Sequence, residues 1–186
     1  MNWLERLDVV YHCGDLFTAP AAAAVCPVNV HLALNYGLGR RLAQLGGTPL
    51  LQAIDETARG LPEHRLRLGQ AVTVDIPEPW GDIGKVILAA WWDADNAYTH
   101  PLLYGCIINA LRQAFEARIG SLAMPFFGMG SGQLRISDLG GTITQVLKDL
   151  DGLRSAHLFP LETLYLVSIH GEDLRQMREY LDRHIY

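Results

Sequence analysis

Cysteine is scarce in this chain: among 186 residues only Cys13, Cys26 and Cys106 occur, widely spaced and with no CxxC pair. An odd, scattered set fits neither a disulfide framework nor a zinc site, so the three read as reduced core thiols and no metal is expected. No stretch approaches the roughly 20 consecutive apolar residues of a membrane-spanning helix. The opening Met1-Asn2-Trp3-Leu4-Glu5-Arg6 lacks a basic segment followed by an apolar run, so it does not read as a secretory signal and a cytoplasmic location is expected. Positive charge is also in deficit, 15 Lys and Arg against 20 Asp and Glu for a formal net charge of -5. That balance supplies no basic footprint for a phosphate backbone, although a local site can still take a single nucleotide. HExxH, GxSxG and a GK[ST] phosphate loop are all missing, and the seven histidines are scattered.

What is present is the pattern of one layered domain over residues 1–186, long enough to bury a sizeable core. Short apolar runs at Val9–His12, Ala21–Val28, Ala71–Ile76, Lys85–Trp91, Ser121–Phe127 and Thr163–Ile169 predict strands. Most are apolar almost throughout, the mark of strands covered on both faces. Helical periodicity separates them, most clearly over Pro101–Ile119, where Leu103, Cys106, Ile107, Ala110, Leu111 and Ala114 recur at i, i+3 and i+4. Further helices are expected over Gly39–Leu45, Pro49–Ala58, Ser137–Leu150 and Asp173–His184, with Ser137 or Asp138 as N-cap of the third of these. Gly60–Gly69 and Pro77–Gly84 read as loops. Strands alternating with helices give an α/β domain with a sheet between helical layers.

Three loops fall at predicted strand ends, where open α/β sheets bind ligands. In Gly14-Asp15-Leu16-Phe17, the Asp15 carboxylate either accepts from an exocyclic amine such as that of adenine or caps the segment that follows. Asn29 ends the second strand and offers an amide to a ribose hydroxyl pair, with an Asx turn as the alternative. Asn35-Tyr36-Gly37-Leu38-Gly39 then leads into a helix whose free N–H groups suit a pyrophosphate. The third loop, Phe127-Gly128-Met129-Gly130-Ser131-Gly132, spaces its glycines so that the backbone can wrap an anion, and it is not a GxGxxG dinucleotide fingerprint. His31 and His100 lie near loops, and Trp91 or Trp92 stands where it can line a pocket.

The three loops in this order resemble the macro domain family of ADP-ribose binders. Gly14-Asp15-Leu16 is similar to the family's GDI or GDL, whose Asp contacts adenine, and Asn29 falls on the last Asn of its VNAAN segment, beside the distal ribose. Asn35–Gly39 corresponds to the first phosphate loop, Gly47–Leu51 to the segment after its helix, and Leu122-Ala123-Met124-Pro125 with Gly128–Gly132 to the IAFP or LSMP strand and second phosphate loop. The flavour is nearest to small single-domain macro proteins that remove terminal ADP-ribose. The resemblance implies a three-layer α/β/α domain with a mixed, mostly parallel central sheet. It also implies a site comprising Asp15, Leu16, Asn29, Asn35, Gly37, Leu38, Gly39, Phe127, Gly128, Met129, Gly130, Ser131 and Gly132, with no cofactor.

The departures concern chemistry. The family's hydrolases with a GVD motif carry an Asp where this chain has Gly39. Those acting on glutamate linkages use a Lys where Ala90 or Trp91 stands and an Asp where Gly132 stands. Three functions follow: a reader of ADP-ribose or ADP-ribosylated macromolecules; a hydrolase in which Asn29 orients water with help from His31, Asn35 or Asp93; and a nucleotide-binding scaffold that docks another protein. The reader is ranked first and catalysis is left open. Polymeric nucleic acid enters only if it is itself ADP-ribosylated.

Overall fold

The computed structural model describes residues 3–93, 99–129, 134–153 and 156–185. Six strands, β1 (Asp8–Cys13), β2 (Ala23–Asn29), β3 (Ala71–Trp80), β4 (Ile83–Trp92), β5 (Ser121–Pro125) and β6 (Thr163–Ser168), form one sheet in the order β1-β6-β5-β2-β4-β3. All neighbours pair parallel except β3, which runs antiparallel to β4 along one edge. The helices are α1 (Trp3–Arg6), α2 (Gly37–Arg59), α3 (His100–Glu116), α4 (Ile136–Asp151) and α5 (Gly171–His184). None among the described residues is long and apolar enough to cross a membrane.

Period-two alternation sorts the strands into two cores. Val25, Ile87, Ala89, Leu122, Met124, Leu164 and Leu166 face α3, α4 and α5, where Leu103, Ile107, Leu111, Ile143, Leu147 and Leu181 meet them. Ala24, Cys26, Val86, Leu88, Ala90 and Ala123 face the other way, onto Leu42, Leu50 and Ile54 of α2. Both faces are covered, which gives the three-layer α/β/α arrangement and explains why the strand runs are apolar without interruption.

Several expectations need correction. Helix α2 is not among them: its two parts, separated by non-helical backbone at Gly47 (φ 54, ψ -156) with Pro49 opening the second, are the two helices expected over Gly39–Leu45 and Pro49–Ala58. Pro77–Gly84 is a hairpin instead of a loop: β3 continues to Trp80, and its prolines are tolerated because β3 is an edge strand whose register breaks between Asp75 and Trp80. Neither Ser137 nor Asp138 is the N-cap of α4. Arg135 holds that position, and Asp138, three residues on, accepts its amide at 3.4 Å. Helix α1 is too short for periodicity to show, and it is fixed by Trp3, whose indole Nε1 donates to the Leu161 carbonyl at 3.0 Å.

The cysteines divide as well. Cys26 and Cys106 are buried, but Cys13 ends the edge strand β1 and is exposed, so it is not a core thiol. Burial pushes the Cys106 thiol up to about 12 and the Cys26 thiol higher still. At about pH 8 a thiol reagent is therefore expected to titrate Cys13 alone in the native protein and all three cysteines in denaturant, because only thiolates react. Native labelling that survives Cys13→Ser would overturn this assignment.

Candidate functional site

The site begins where β1 stops. Gly14 continues the pairing by donating to the Ser168 carbonyl at 3.0 Å, which sets the end of β1 beside the end of β6. Asp15 then turns the chain: its Oδ1 accepts the Phe17 amide at 2.9 Å and caps a one-turn helix, while Leu16 and Phe17 bury their side chains. The second carboxylate oxygen accepts from Arg41 Nε at 2.8 Å. At 46% and 30% exposure this ion pair adds little stability. Its consequence is orientation, since Asp15 and Arg41 are held together on the wall of one cleft.

That cleft has a volume of about 480 Å3 and lies over the C-terminal ends of β1, β6 and β5. Besides Asp15, Leu16 and Arg41, it is bordered by Leu38 of α2 and by Phe126 and Met129 after β5. The opposite wall is Val167–His170 with Asp173 on the first turn of α5. Ser168 Oγ accepts the His170 amide at 3.1 Å and lies 3.5 Å from Asp173 Oδ2, which fixes this wall. Helix α2 opens onto the cleft without a side-chain cap at Tyr36, and its first intrahelical bond is Arg40 N–H to the Tyr36 carbonyl at 3.2 Å. The amides of Gly37, Leu38 and Gly39 therefore have no intrahelical acceptor, and the positive end of the helix dipole is at the cleft.

Asn29 stands farther along the same sheet edge, at the end of β2. Its Oδ1 accepts two amides, His31 at 3.1 Å and Ala33 at 2.9 Å, so the Asx-turn reading is realised. This turn also holds Leu32 in a left-handed conformation (φ 57) with its side chain buried. The Asn29 Nδ2 makes no hydrogen bond among the described residues and is free to donate. Asn35 and His31 are exposed in the loop that follows.

Of the residues expected at the site, Asp15, Leu16, Leu38 and Met129 line the cleft together. Phe127 is buried, with its ring on Trp91 at 5.5 Å, so it can offer only main chain. Gly130, Ser131 and Gly132 lie outside the described residues. Sequence reasoning missed Arg41 and the whole β6–α5 wall. Arg41 was hidden because that loop reads as a source of backbone donors, and the wall because only the β1–β6 pairing brings it into place.

A family model for the macro domain matches residues 25–139. The chain belongs to the macro domain family. Solved macrodomains share the fold at low identity: a point variant of the Oceanobacillus iheyensis macrodomain with ADP-ribose (19% identity, TM-score 0.78, covering 96% of this chain and 93% of that one). The Trypanosoma brucei macrodomain in complex with ADP follows at 12% identity and TM-score 0.76, covering 97% of this chain and 71% of that one. The macrodomain of Mycobacterium tuberculosis DarG matches at 20% identity and TM-score 0.63, covering 85% of this chain and 96% of that one. No curated protein matches the chain.

The macro domain frame explains two glycines. Gly128 has φ 72, and a Cβ there would fall 2.5 Å from Leu134 Cδ1 and 3.0 Å from Trp91 Cζ2, so the loop packs down on Trp91. Ala90 is fully buried, and neither it nor Trp91 can serve as a Lys. Gly39, the position the sequence resemblance matches to the Asp of GVD-type hydrolases, is buried, and a Cβ on it would meet Leu34 Cα at 3.1 Å. The position is closed by backbone. Restoring the acid with Gly39→Asp is thus expected to cost about 2–4 kcal/mol from overpacking and a buried carboxylate. In a thermal melt that is a midpoint lower by roughly 5–15 °C for a domain of this size, and an unchanged midpoint would show that Leu34 yields readily.

Proposed function

We propose that this macro domain binds ADP-ribose, free or attached to a macromolecule, in the cleft at the strand ends. The observation that carries the reading is the joint placement of the Asp15 carboxylate and the uncapped α2 N-terminus on one cleft. Adenine has an exocyclic donor for an acceptor-only carboxylate, and a pyrophosphate needs the amides of Gly37, Leu38 and Gly39 with the main chain of Phe127–Met129. By sequence, Gly130, Ser131 and Gly132 complete that phosphate loop. The Asn29 Nδ2 is left for the distal ribose, with Asn35 beside it. The Oceanobacillus and Trypanosoma neighbours, which carry ADP-ribose and ADP, support the ligand class. A cytoplasmic setting, where thiols stay reduced, belongs to this reading.

Hydrolysis of an ADP-ribosyl linkage is the second reading, and the geometry gives it less. The cleft carboxylates, Asp15 and Asp173, stand at its β1–β6 end, whereas the scissile bond would lie by Asn29 at the end of β2. Asp93 faces a different groove, beside Arg67 and Arg112. His31 meets Asn29 through its main-chain amide alone, and neither its ring nor the Asn35 side chain is held toward Asn29 by a hydrogen bond among the described residues. Recognition needs none of these groups.

Calorimetry is expected to give a dissociation constant for ADP-ribose on the order of micromolar, equivalent to about 8 kcal/mol. Asp15→Ala should weaken ADP-ribose roughly tenfold, as a lost charge-assisted hydrogen bond implies, and leave ribose 5-phosphate within about twofold. Equal losses for both ligands would mean that the substitution damages the loop and does not report on adenine. No heat and no thermal shift at millimolar ADP-ribose would end the proposal.

A further inference from the structure

Beyond the cleft, a larger groove of about 920 Å3 runs along the free edge of β3, between the 61–68 segment and the outer face of α3. Its upper end is formed by Val30, next in the chain to Asn29, and Asp93, next to the Trp92 that pairs with Asn29. With Asn29 assigned to the distal ribose as proposed above, the groove starts beside that end of the ligand. Its walls are tied in place. Asn109 Nδ2 donates to the Gly69 carbonyl at 2.8 Å, and Gln113 Oε1 accepts the Thr73 amide at 2.9 Å. On the other side Arg65 grips Glu63 through Nε and Nη2 at 3.1 and 2.8 Å, although Glu63 and His64 both sit in the left-handed region (φ 56 and 54). Strained backbone of this kind persists where the surroundings hold it.

Resting on the reading of the cleft as an ADP-ribosyl site, we propose that this groove takes the polypeptide to which the ADP-ribosyl group is attached, as an extended segment bearing acidic side chains. Three features select that occupant. The first is an open strand edge: Ala90 N–H bonds the Gln70 carbonyl and Thr73 N–H turns outward to Gln113, so by alternation Ala71 presents its N–H and C=O to the groove. An extended chain can add to such an edge. The second is size, because α3 from Asn109 to Glu116 spans about 10 Å at 1.5 Å per residue, or roughly three extended residues. The third is charge. Among the described residues Arg67 and Arg112 are exposed without a carboxylate at ion-pair distance, and they suit acidic side chains. The open edge separates a peptide from a nucleic acid, because it pairs with main-chain amides and carbonyls in register and a phosphate backbone offers no N–H to its carbonyl.

The test compares three probes by calorimetry at low salt: free ADP-ribose, a Glu-flanked peptide carrying ADP-ribose through a non-hydrolysable triazole, and a single-stranded oligonucleotide carrying it the same way. The wild-type protein should bind the peptide about tenfold more tightly than free ADP-ribose and the oligonucleotide no more tightly than free ADP-ribose. In the double variant Arg67→Glu, Arg112→Glu the peptide should fall to within twofold of free ADP-ribose, whose own affinity stays unchanged. Ala71→Pro should act alike, since it removes only an outward amide from an edge strand that already holds two prolines; if it impairs folding, the arginine variant alone decides. Equal affinity for peptide and free ADP-ribose in the wild type, or tighter binding of the oligonucleotide, overturns the groove assignment while the cleft reading stands. Failure of free ADP-ribose to bind overturns both.

Discussion

The parallel pairing of β1 with β6 is the constraint on which the site depends. It joins the first strand to the last in register, Asp8 to Thr163 through Cys13 to Ser168, across nearly the whole chain. Only this pairing sets Gly14 and Asp15 beside Ser168 and His170, and without it the cleft has one wall. The pairing is itself held from behind by α5, whose Leu174, Met177 and Leu181 are buried in the core on that face. Contacts this distant in sequence form late and slowly.

All six strands were legible because their chemistry is local: β-branched and small apolar runs, bounded by Gly, Pro or Asn, need no partner to be recognised. Helices α3 and α4 were legible for the same reason. What was misread involved neighbours. A proline pair in β3 signals a loop until the strand is known to be an edge, and Cys13 reads as buried until β1 is known to be an edge. In the site, Asp15 was visible from its turn: the capping reading holds at Phe17, and the same residue lines the cleft. Arg41 was not visible, because nothing in its local sequence shows that one turn of α2 brings it to Asp15.

Asn29 has a structural role in the fold and, in the proposed pose, a second one in recognition. Its carbonyl oxygen closes the turn that buries Leu32, so the amide nitrogen is oriented by default toward whatever lies past the strand end. Replacing it would remove a loop anchor as well as a donor. A fold-sensitive measurement beside the binding assay separates the two roles. The hydrolase reading suffers from this ambiguity more than the reader does, since it gives Asn29 the central part.

A chain with net charge -5 proposed to bind a doubly charged pyrophosphate looks electrostatically mismatched, but distance decides which charges matter. At physiological ionic strength the screening length is about 8 Å, so carboxylates spread over the surface act weakly on a ligand in the cleft. In the proposed pose the strong terms come from groups next to the phosphates: the amides at the start of α2, the dipole behind them, and Arg41 one turn along. Asp15 would oppose an anion if it were alone, but Arg41 at 2.8 Å offsets its charge while leaving its oxygens able to accept. The pair thus keeps an acceptor for a nucleobase next to a place for phosphate. Neither charge could be removed without making the other unfavourable for one half of the ligand.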